Sequence, residues 1–403
     1  MRALVIAPQP FFSPRGTPFS VYYRTLAMAR EGVEIDLLTY GEGQDVDIPG
    51  VRLVRIPRVR ALEPVPVGPS PNKLLLDVLL VLWTIGLLLR HRYDFVHAHE
   101  ESVFFCRWLK PVFRFRLVYD MHSCLPQQLT NFAFTRSRFL IGAFERLERS
   151  ALRAADAVVT ICPELAEYAL PRLADPARHL LIENSLFEEV RLRGAVPGAE
   201  APAAADGVGP VIAYAGTFEP YQGLDLLVEA FAGVLRERPD ARLLLVGGNP
   251  EQIAALRALA ERTGVTPRCT LTGRLPQGTT RRLLARAAVL VSPRRHGTNT
   301  PLKVYEQLAS GIPMVATRIR SHTQVLDERV CLLAEPEPAA LAAALMTALA
   351  GGPAVARTTA AARALYDEKY SPAAYAAKIR RLLGLLDGRS EPVGADSAPE
   401  PLA

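Results

Sequence analysis

Residues 292–317 read SPRRHGTNTPLKVYEQLASGIPMVAT, and the order of residue types in this stretch decides the architecture. AVLVSP (288–293) is a short apolar run of strand type. A polar loop with one glycine follows, then a helical stretch, Gly311, and a second strand-like run, PMVAT (313–317). Thr300 is placed to cap the helix with Pro301 at its first position, and Gly311 to end it. The backbone amides of Gly297, Thr298, Asn299 and Thr300 then lie at the positive end of the helix dipole, a ready phosphate site. Lys303 adds a full charge in the first turn, the only lysine between positions 110 and 369. Glu306 follows three residues later on the same helix face. Its carboxylate is suited to accept hydrogen bonds from two ribose hydroxyls, as acidic residues do in dinucleotide folds. The same pattern also describes an ordinary capped helix carrying a surface Lys–Glu pair.

Outward from this stretch, strand and helix signals alternate along most of the chain. RALVIAP (2–8), VEIDLLTY (33–40), VRLVRIP (51–57), DFVHAH (94–99), RLVYDMH (116–122), AVVTICP (157–163) and HLLIENS (179–185) read as short buried strands. The alternation restarts with VIAYAGT (211–217), ARLLLVGG (241–248), CTLTGRL (269–275), AVLVSP, PMVAT and VCLLAEP (330–336). Alternation of this kind predicts parallel sheets covered on both faces. The expected fold class is α/β, with two Rossmann-like doubly wound domains facing across a cleft. Residues 1–190 form the first domain, 191–210 an Ala/Gly/Pro-rich linker and 211–370 the second domain. A helix over 371–388 returns to the first domain, and 389–403 reads as a disordered tail.

The 403 residues carry a net charge of +6, but lysine stands only at 73, 110, 303, 369 and 378, so arginine dominates the 47 basic residues. No Lys/Arg-rich block of nucleic-acid type is present, so no nucleic-acid partner is expected. Five cysteines, odd in number and without a CxxC pair, point to reduced thiols in a cytoplasmic protein and to neither disulfides nor zinc. The N-terminus runs directly into a strand, with no signal-peptide pattern. The apolar run LLLDVLLVLWTIGLLL (74–89) is shorter than the roughly 20 residues of a bilayer span and contains Asp77. It reads as a buried or partly exposed helix. Arg90, His91 and Arg92 directly after it add peripheral contact with the inner face of a membrane as an alternative.

PLKVYEQLASGIPMVAT, with YAGTFEPYQGLDLLVEAF (214–231) and LLLVGG (243–248), resembles the C-terminal half of a retaining nucleotide-sugar glycosyltransferase of family 4, with the GT-B fold. HAHEE (97–101), YDMHS (119–123) and IENS (182–185) extend the resemblance over most of the chain. It implies a hexosyltransferase-type enzyme of glycan biosynthesis. A sugar would move from a UDP- or GDP-linked donor to a glycan, lipid-linked or small-molecule acceptor hydroxyl, with retention of configuration and no cofactor. Glu306 matches the second Glu of the family's Glu-x7-Glu pattern, which holds the ribose; the first would fall at Thr298, where the carboxylate is missing. The family's basic pair on the diphosphate would fall near Thr217 and Gln222, where both charges are absent. Lys303, with Arg294 or Arg295, is the replacement. Gly216 and Gly247, at strand ends, complete the nucleotide-sugar side.

In the N-terminal domain, His122 matches the family's strand-end histidine near the donor sugar and acceptor. It is the catalytic candidate together with Lys303, with a satisfied structural histidine as the alternative. His97 and His99 share one strand face; without a third ligand at a recognisable spacing they favour packing, or for His99 acceptor contact, over a metal. In the loop FFSPRGT (11–17), Gly16 permits close approach to a ligand and Arg15 could meet an acidic acceptor or a phosphate; a plain surface turn fits equally. Asp45-Val46-Asp47 has the form of a metal–diphosphate motif but lies in a polar loop after the second strand, so a metal-independent mechanism is expected. No GxxxxGK[ST] loop, GxSxG elbow or Cys/His pair stands out. Loss of the first Glu and of the basic pair keeps a non-catalytic nucleotide- or glycan-binding protein as the second reading, ahead of a sugar-nucleotide epimerase.

Overall fold

The computed structural model describes residues 1–13, 16–65, 70–124, 138–184, 190 and 208–388. Arg15, most of the 191–210 stretch and the segment 389–403 lie outside them. The chain divides into two compact units, one made of Met1–Asn184 with the chain from Tyr375 onward, the other lying within Gly194–Ala374.

The first unit is a seven-stranded sheet. Its strands are β1 (Arg2–Ala7), β2 (Glu34–Thr39), β3 (Val51–Arg55), β4 (Phe95–His99), β5 (Arg116–Met121), β6 (Ala157–Thr160) and β7 (His179–Leu181). They are ordered β3-β2-β1-β4-β5-β6-β7 and every pairing is parallel. The helices are α1 (Gly16–Arg30), α2 (Pro71–Arg90), α3 (Ser102–Phe113), α4 (Arg138–Ala154) and α5 (Pro163–Ala169). Because successive side chains point to opposite faces, Leu4 and Ile6 of β1 enter the core that α2, α3 and α4 cover, while Ala3 and Val5 are buried on the other face.

The apolar run at 74–89 sits in a longer helix than its own length suggests. Ser70 caps α2 through Lys73 N, Pro71 opens it and Arg90 closes it, giving 20 residues. Its inward side, Leu76, Leu80, Leu87 and Leu88, is part of the core, and Asp77 accepts a 2.5 Å hydrogen bond from the Tyr40 hydroxyl.

The second unit has six parallel strands in the order β10-β9-β8-β11-β12-β13. They are β8 (Val211–Gly216), β9 (Arg242–Gly247), β10 (Cys269–Leu271), β11 (Val289–Ser292), β12 (Met314–Thr317) and β13 (Leu332–Ala334). Helices α6 (Leu224–Glu237), α7 (Pro250–Arg262), α8 (Gln277–Leu284), α9 (Leu302–Ser310), α10 (Arg320–Thr323), α11 (Pro338–Ala350) and α12 (Pro353–Leu365) complete it. Ile212, Leu243, Leu245, Val289 and Val291 pack under α6 and α11; Ala213, Leu244, Val246 and Leu290 pack with Leu283 of α8 on the other face.

The last helix, α13 (Pro372–Asp387), crosses from one unit to the other three residues after it begins. Lys378 pairs with Glu183, Arg380 with Glu31 at 2.9 Å, and the Tyr375 ring faces Arg24 at 5.7 Å. Ile379 and Leu382 are fully buried. Ile379→Ala is therefore expected to remove about 2–5 kcal/mol from the first unit, although the residue follows the second in sequence. Hydrogen exchange should speed up in β1 and β5 while β8 and β11 stay protected; the reverse distribution would show that α13 belongs to the second unit.

Candidate active site

In a doubly wound sheet the loops at the carboxyl ends of two neighbouring strands diverge where the winding direction reverses, and ligands bind there. That position is β8/β11 in the second unit and β1/β4 in the first.

At the β8/β11 position the Lys303 side chain, on the first turn of α9, lies over the ring of Tyr214 with Nζ 3.7 Å from its centroid. Nζ donates to Gln222 Oε1 at 3.1 Å. Gln222 is one of the positions where a basic residue is missing, and here it holds the replacement cation. The Tyr214 hydroxyl donates to Thr217 O at 2.7 Å. Gly216 ends β8 at φ +153°, and a Cβ there would come 3.0 Å from Lys303 Nζ and 2.9 Å from the Tyr214 oxygen. A side chain at 216 would thus displace the ammonium.

Arg294 provides the second cation. Its Nη1 donates to Asn299 O at 2.7 Å and its guanidinium faces Tyr221 at 5.0 Å. Gly297, at φ +135°, makes room for it: a Cβ would lie 2.6 Å from Arg294 Cζ. The loop is tied down further by Gln324 Nε2 donating to Thr298 O at 2.9 Å and by the Thr317 hydroxyl donating to Arg294 O. Arg295, the other candidate, turns away to pair with Asp225 at 2.9 Å.

Lys303 is half-buried, and among the described residues no carboxylate pairs with it. Burial foremost, and then repulsion from Arg294, pushes its pKa well below the ordinary lysine value. A half-buried ammonium beside a guanidinium, without a carboxylate among the described residues, favours an anionic ligand. Glu306, one turn further along α9, faces Arg281 of α8 instead, with Nη2 to Oε1 at 3.2 Å. Burial raises its pKa and Arg281 partly opposes this. Lys303 and Glu306 thus form no pair with each other, unlike a surface i,i+3 couple. Thr300 differs from expectation too. The helix starts one residue later, at Leu302 with Pro301 as its cap, and the Thr300 hydroxyl is buried without a hydrogen-bond partner among the described residues. Pro301 adopts an extended ψ of 135° that cannot serve as a helical first position. Gly247 ends β9 in register with Gly216.

His322 was not singled out in the sequence. It is fully buried, accepts from Ser292 Oγ at 2.9 Å and donates from Nδ1 to Thr317 O at 2.8 Å. Burial brings its pKa down to about 4. This histidine braces the ends of β11 and β12 just behind the loop.

In the first unit, β4 and β5 are in register with His99 beside Asp120, and His122 follows β5 directly. His97 Nε2 lies 2.8 Å from Asp120 Oδ2, His99 Nδ1 2.8 Å from His122 Nε2, and Arg24 of α1 brings Nε to 3.0 Å from Asp120 Oδ2. All five side chains are buried. Burial alone would raise the Asp120 pKa, but Arg24 and the imidazoles hold it well below the carboxylate range. Burial lowers His122 to about 4, so its imidazole is neutral at pH 7 and serves as a hydrogen-bonding group. Asp120 is the third neighbour that sequence spacing did not offer to His97 and His99; one ligand atom from each lies within 4.8 Å of the others. The Arg24 cation already occupies the carboxylate, which makes the group a hydrogen-bonded charge network and opposes a metal ion there. The alternation Asp120–Met121–His122 carried the signal, since residues two apart share a strand face.

Gly16 is the exposed first residue of α1, and a Cβ there would meet nothing within 4 Å, so the chain itself imposes no glycine at that position. Asp45 pairs with Arg55 at 3.2 Å, as a residue of a structural turn does.

Two sequence families match this chain: residues 209–351 fit the one described as "Glycosyl transferases group 1", and residues 21–185 the "Glycosyl transferase 4-like domain". The D-inositol 3-phosphate glycosyltransferase of Mycobacterium sp. (strain JLS) is 30% identical over 321 residues, 74% of this chain and 69% of the relative. The chain belongs to the family 4 glycosyltransferases. Among solved structures, sucrose-phosphate synthase from Thermosynechococcus elongatus superposes with a TM-score of 0.72 at 20% identity, covering 96% of this chain and all of that one (100%). HepE of Anabaena in complex with UDP gives a TM-score of 0.70 at 15% identity over 95% and 100% of the two chains. These likenesses establish the GT-B fold of this glycosyltransferase.

Two consequences for stability follow. Arg24→Met leaves the buried Asp120 charge without its cation, with only neutral imidazoles around it, which should cost about 3–5 kcal/mol and lower the first unit's melting midpoint by roughly 10 °C. The buried neutral histidines add an acid limb. His122 and His322 have folded pKa values near 4 against an ordinary 6.5, so the unfolded chain binds more protons between these values. Stability is then full above pH 6.5 and declines as the pH falls toward 4. Urea midpoints across this range should flatten in His322→Gln.

Proposed function

We propose that this glycosyltransferase moves a sugar from a nucleoside diphosphate donor to an acceptor hydroxyl with retention of anomeric configuration. The observation that carries the reading is the half-buried Lys303 ammonium, set between Tyr214 and Gln222 with Arg294 nearby and no carboxylate partner among the described residues. A diphosphate leaving group requires cations where its charge develops, and Lys303 and Arg294 supply them in place of a metal ion. The amides of residues 297–300 complete the phosphate contacts. Glu306 accepts from the ribose hydroxyls once Arg281 yields the carboxylate. Support for a nucleotide comes from the solved relative in complex with UDP, and for a sugar acceptor reaction from the name of the inositol phosphate enzyme.

In this reading Thr298 stands where the donor sugar would meet a carboxylate, so the backbone of 298–300 and the threonine hydroxyls make that contact. The leaving diphosphate takes the acceptor proton, and His122, neutral at pH 7, donates or accepts a hydrogen bond at the reacting sugar. His99 orients His122 through the 2.8 Å contact between their rings. Gly16, Arg15 and His99 are assigned to the acceptor. The hexosyl class of the donor rests on the family resemblance.

Calorimetry with UDP and GDP tests the nucleotide assignment. Glu306→Ala and Lys303→Met should each weaken binding by roughly 10- to 100-fold, the range for a lost charge-assisted hydrogen bond. Binding to the wild type should also take up protons, because phosphate contact raises the lowered Lys303 pKa; Lys303→Met should lose this uptake. Unchanged affinity in both variants would count against the assignment.

A further inference from the structure

We propose that the outward side of α2 and α3 docks on an anionic lipid bilayer. Leu74, Val78, Leu82 and Leu89 of α2 are each more than half exposed, and Trp83 is partly so. Their spacing of about four residues puts them on one stripe, about 22 Å long at 1.5 Å per residue. The neighbouring helix α3 adds Trp108 and Val112, 64% and 71% exposed. Isolated apolar side chains on a surface are ordinary, but a stripe along one helix with further exposed apolar side chains on the helix next to it marks an interaction face.

The charges of these helices are sorted to fit. Asp77 is turned inward to the Tyr40 hydroxyl and Lys73 to Glu101, so no charge interrupts the stripe. Exposed Arg90 ends α2 and exposed Arg92 follows it, exposed Arg114 and Arg116 follow α3, and Arg107 lies 4.6 Å from the Trp108 ring. An apolar stripe with tryptophan and an arginine rim has the composition of a helix lying in the headgroup layer. Docking of α2 into its own core, through Leu76, Leu80 and Leu87, keeps it parallel to the sheet and leaves only one side for lipid. A second copy of the chain fits less well, since it would bring two arginine rims together. The proposal concerns the first unit alone and does not depend on which donor the enzyme uses.

The test is co-sedimentation of the full chain with vesicles of phosphatidylcholine alone and of phosphatidylcholine with phosphatidylglycerol. Binding is expected only with phosphatidylglycerol, and it should weaken as salt is added. Val78→Asp with Leu82→Asp should cut binding at least tenfold, while an unchanged thermal midpoint shows the fold intact, both residues being exposed. Arg90→Ala and Arg92→Ala should each cost about fivefold. No binding to phosphatidylglycerol vesicles at low salt, equal binding to both vesicles, or undiminished binding by the aspartate pair would overturn the proposal. So would a dimer in sedimentation equilibrium that the aspartate pair dissociates, which would assign the face to a second copy.

Discussion

A parallel sheet buried on both faces leaves polar chemistry only one place to go. Most strands of both units point apolar side chains into helix-covered cores, so the charged groups open to a ligand collect where strands end and helices begin. Lys303 sits near such an end, and among the described residues no carboxylate neutralises it. The surrounding features are those needed to keep an ammonium there: the Tyr214 face, the Gln222 carbonyl, and the missing side chains at Gly216 and Gly297. Partly withdrawing this ammonium from water costs folding free energy that ordinary packing would avoid. A cost retained at the strand-order reversal is a sign of ligand chemistry.

The first unit solves the same problem differently. There Arg24 and Asp120 neutralise each other inside the unit, with His97, His99 and His122 arranged around the carboxylate. The opposite charges of Arg24 and Asp120 balance within the network, while Arg24 Nη1, His97 Nδ1 and His99 Nε2 are buried without a hydrogen-bond partner among the described residues. The first unit therefore has its carboxylate matched by a cation, whereas Lys303 of the second has no carboxylate matched to it among the described residues.

Much of the fold was legible in sequence because alternating short apolar runs and amphipathic stretches leave few topologies open; all thirteen strand segments named there are strands in the structure. The site was legible only in part. Lys303 stood out because lysine is rare here, and His122 because of its place at a strand end. Partners drawn from distant segments were not visible. Gln222 reaches Lys303 across 81 positions and Arg24 reaches Asp120 across nearly a hundred, with no local periodicity to mark either. The expected cap at Thr300 failed for a local reason, since the extended Pro301 delays the helix by one residue.

Taken alone, the amino-acid sequence determined the strand and helix order, the glycines and prolines that bound the elements, and the family resemblance, because these depend on local propensity and short-range pattern. Tertiary structure alone decided which way each charge turned. Lys303 and Glu306 lie three residues apart on one helix, yet one faces an aromatic ring and the other Arg281, since strand order, and not helix spacing, sets their neighbours. The apolar run of α2 was plain in the sequence. Its division into a core side and an exposed side came only from packing, because a run hydrophobic all round contains no signal of which side the sheet will cover.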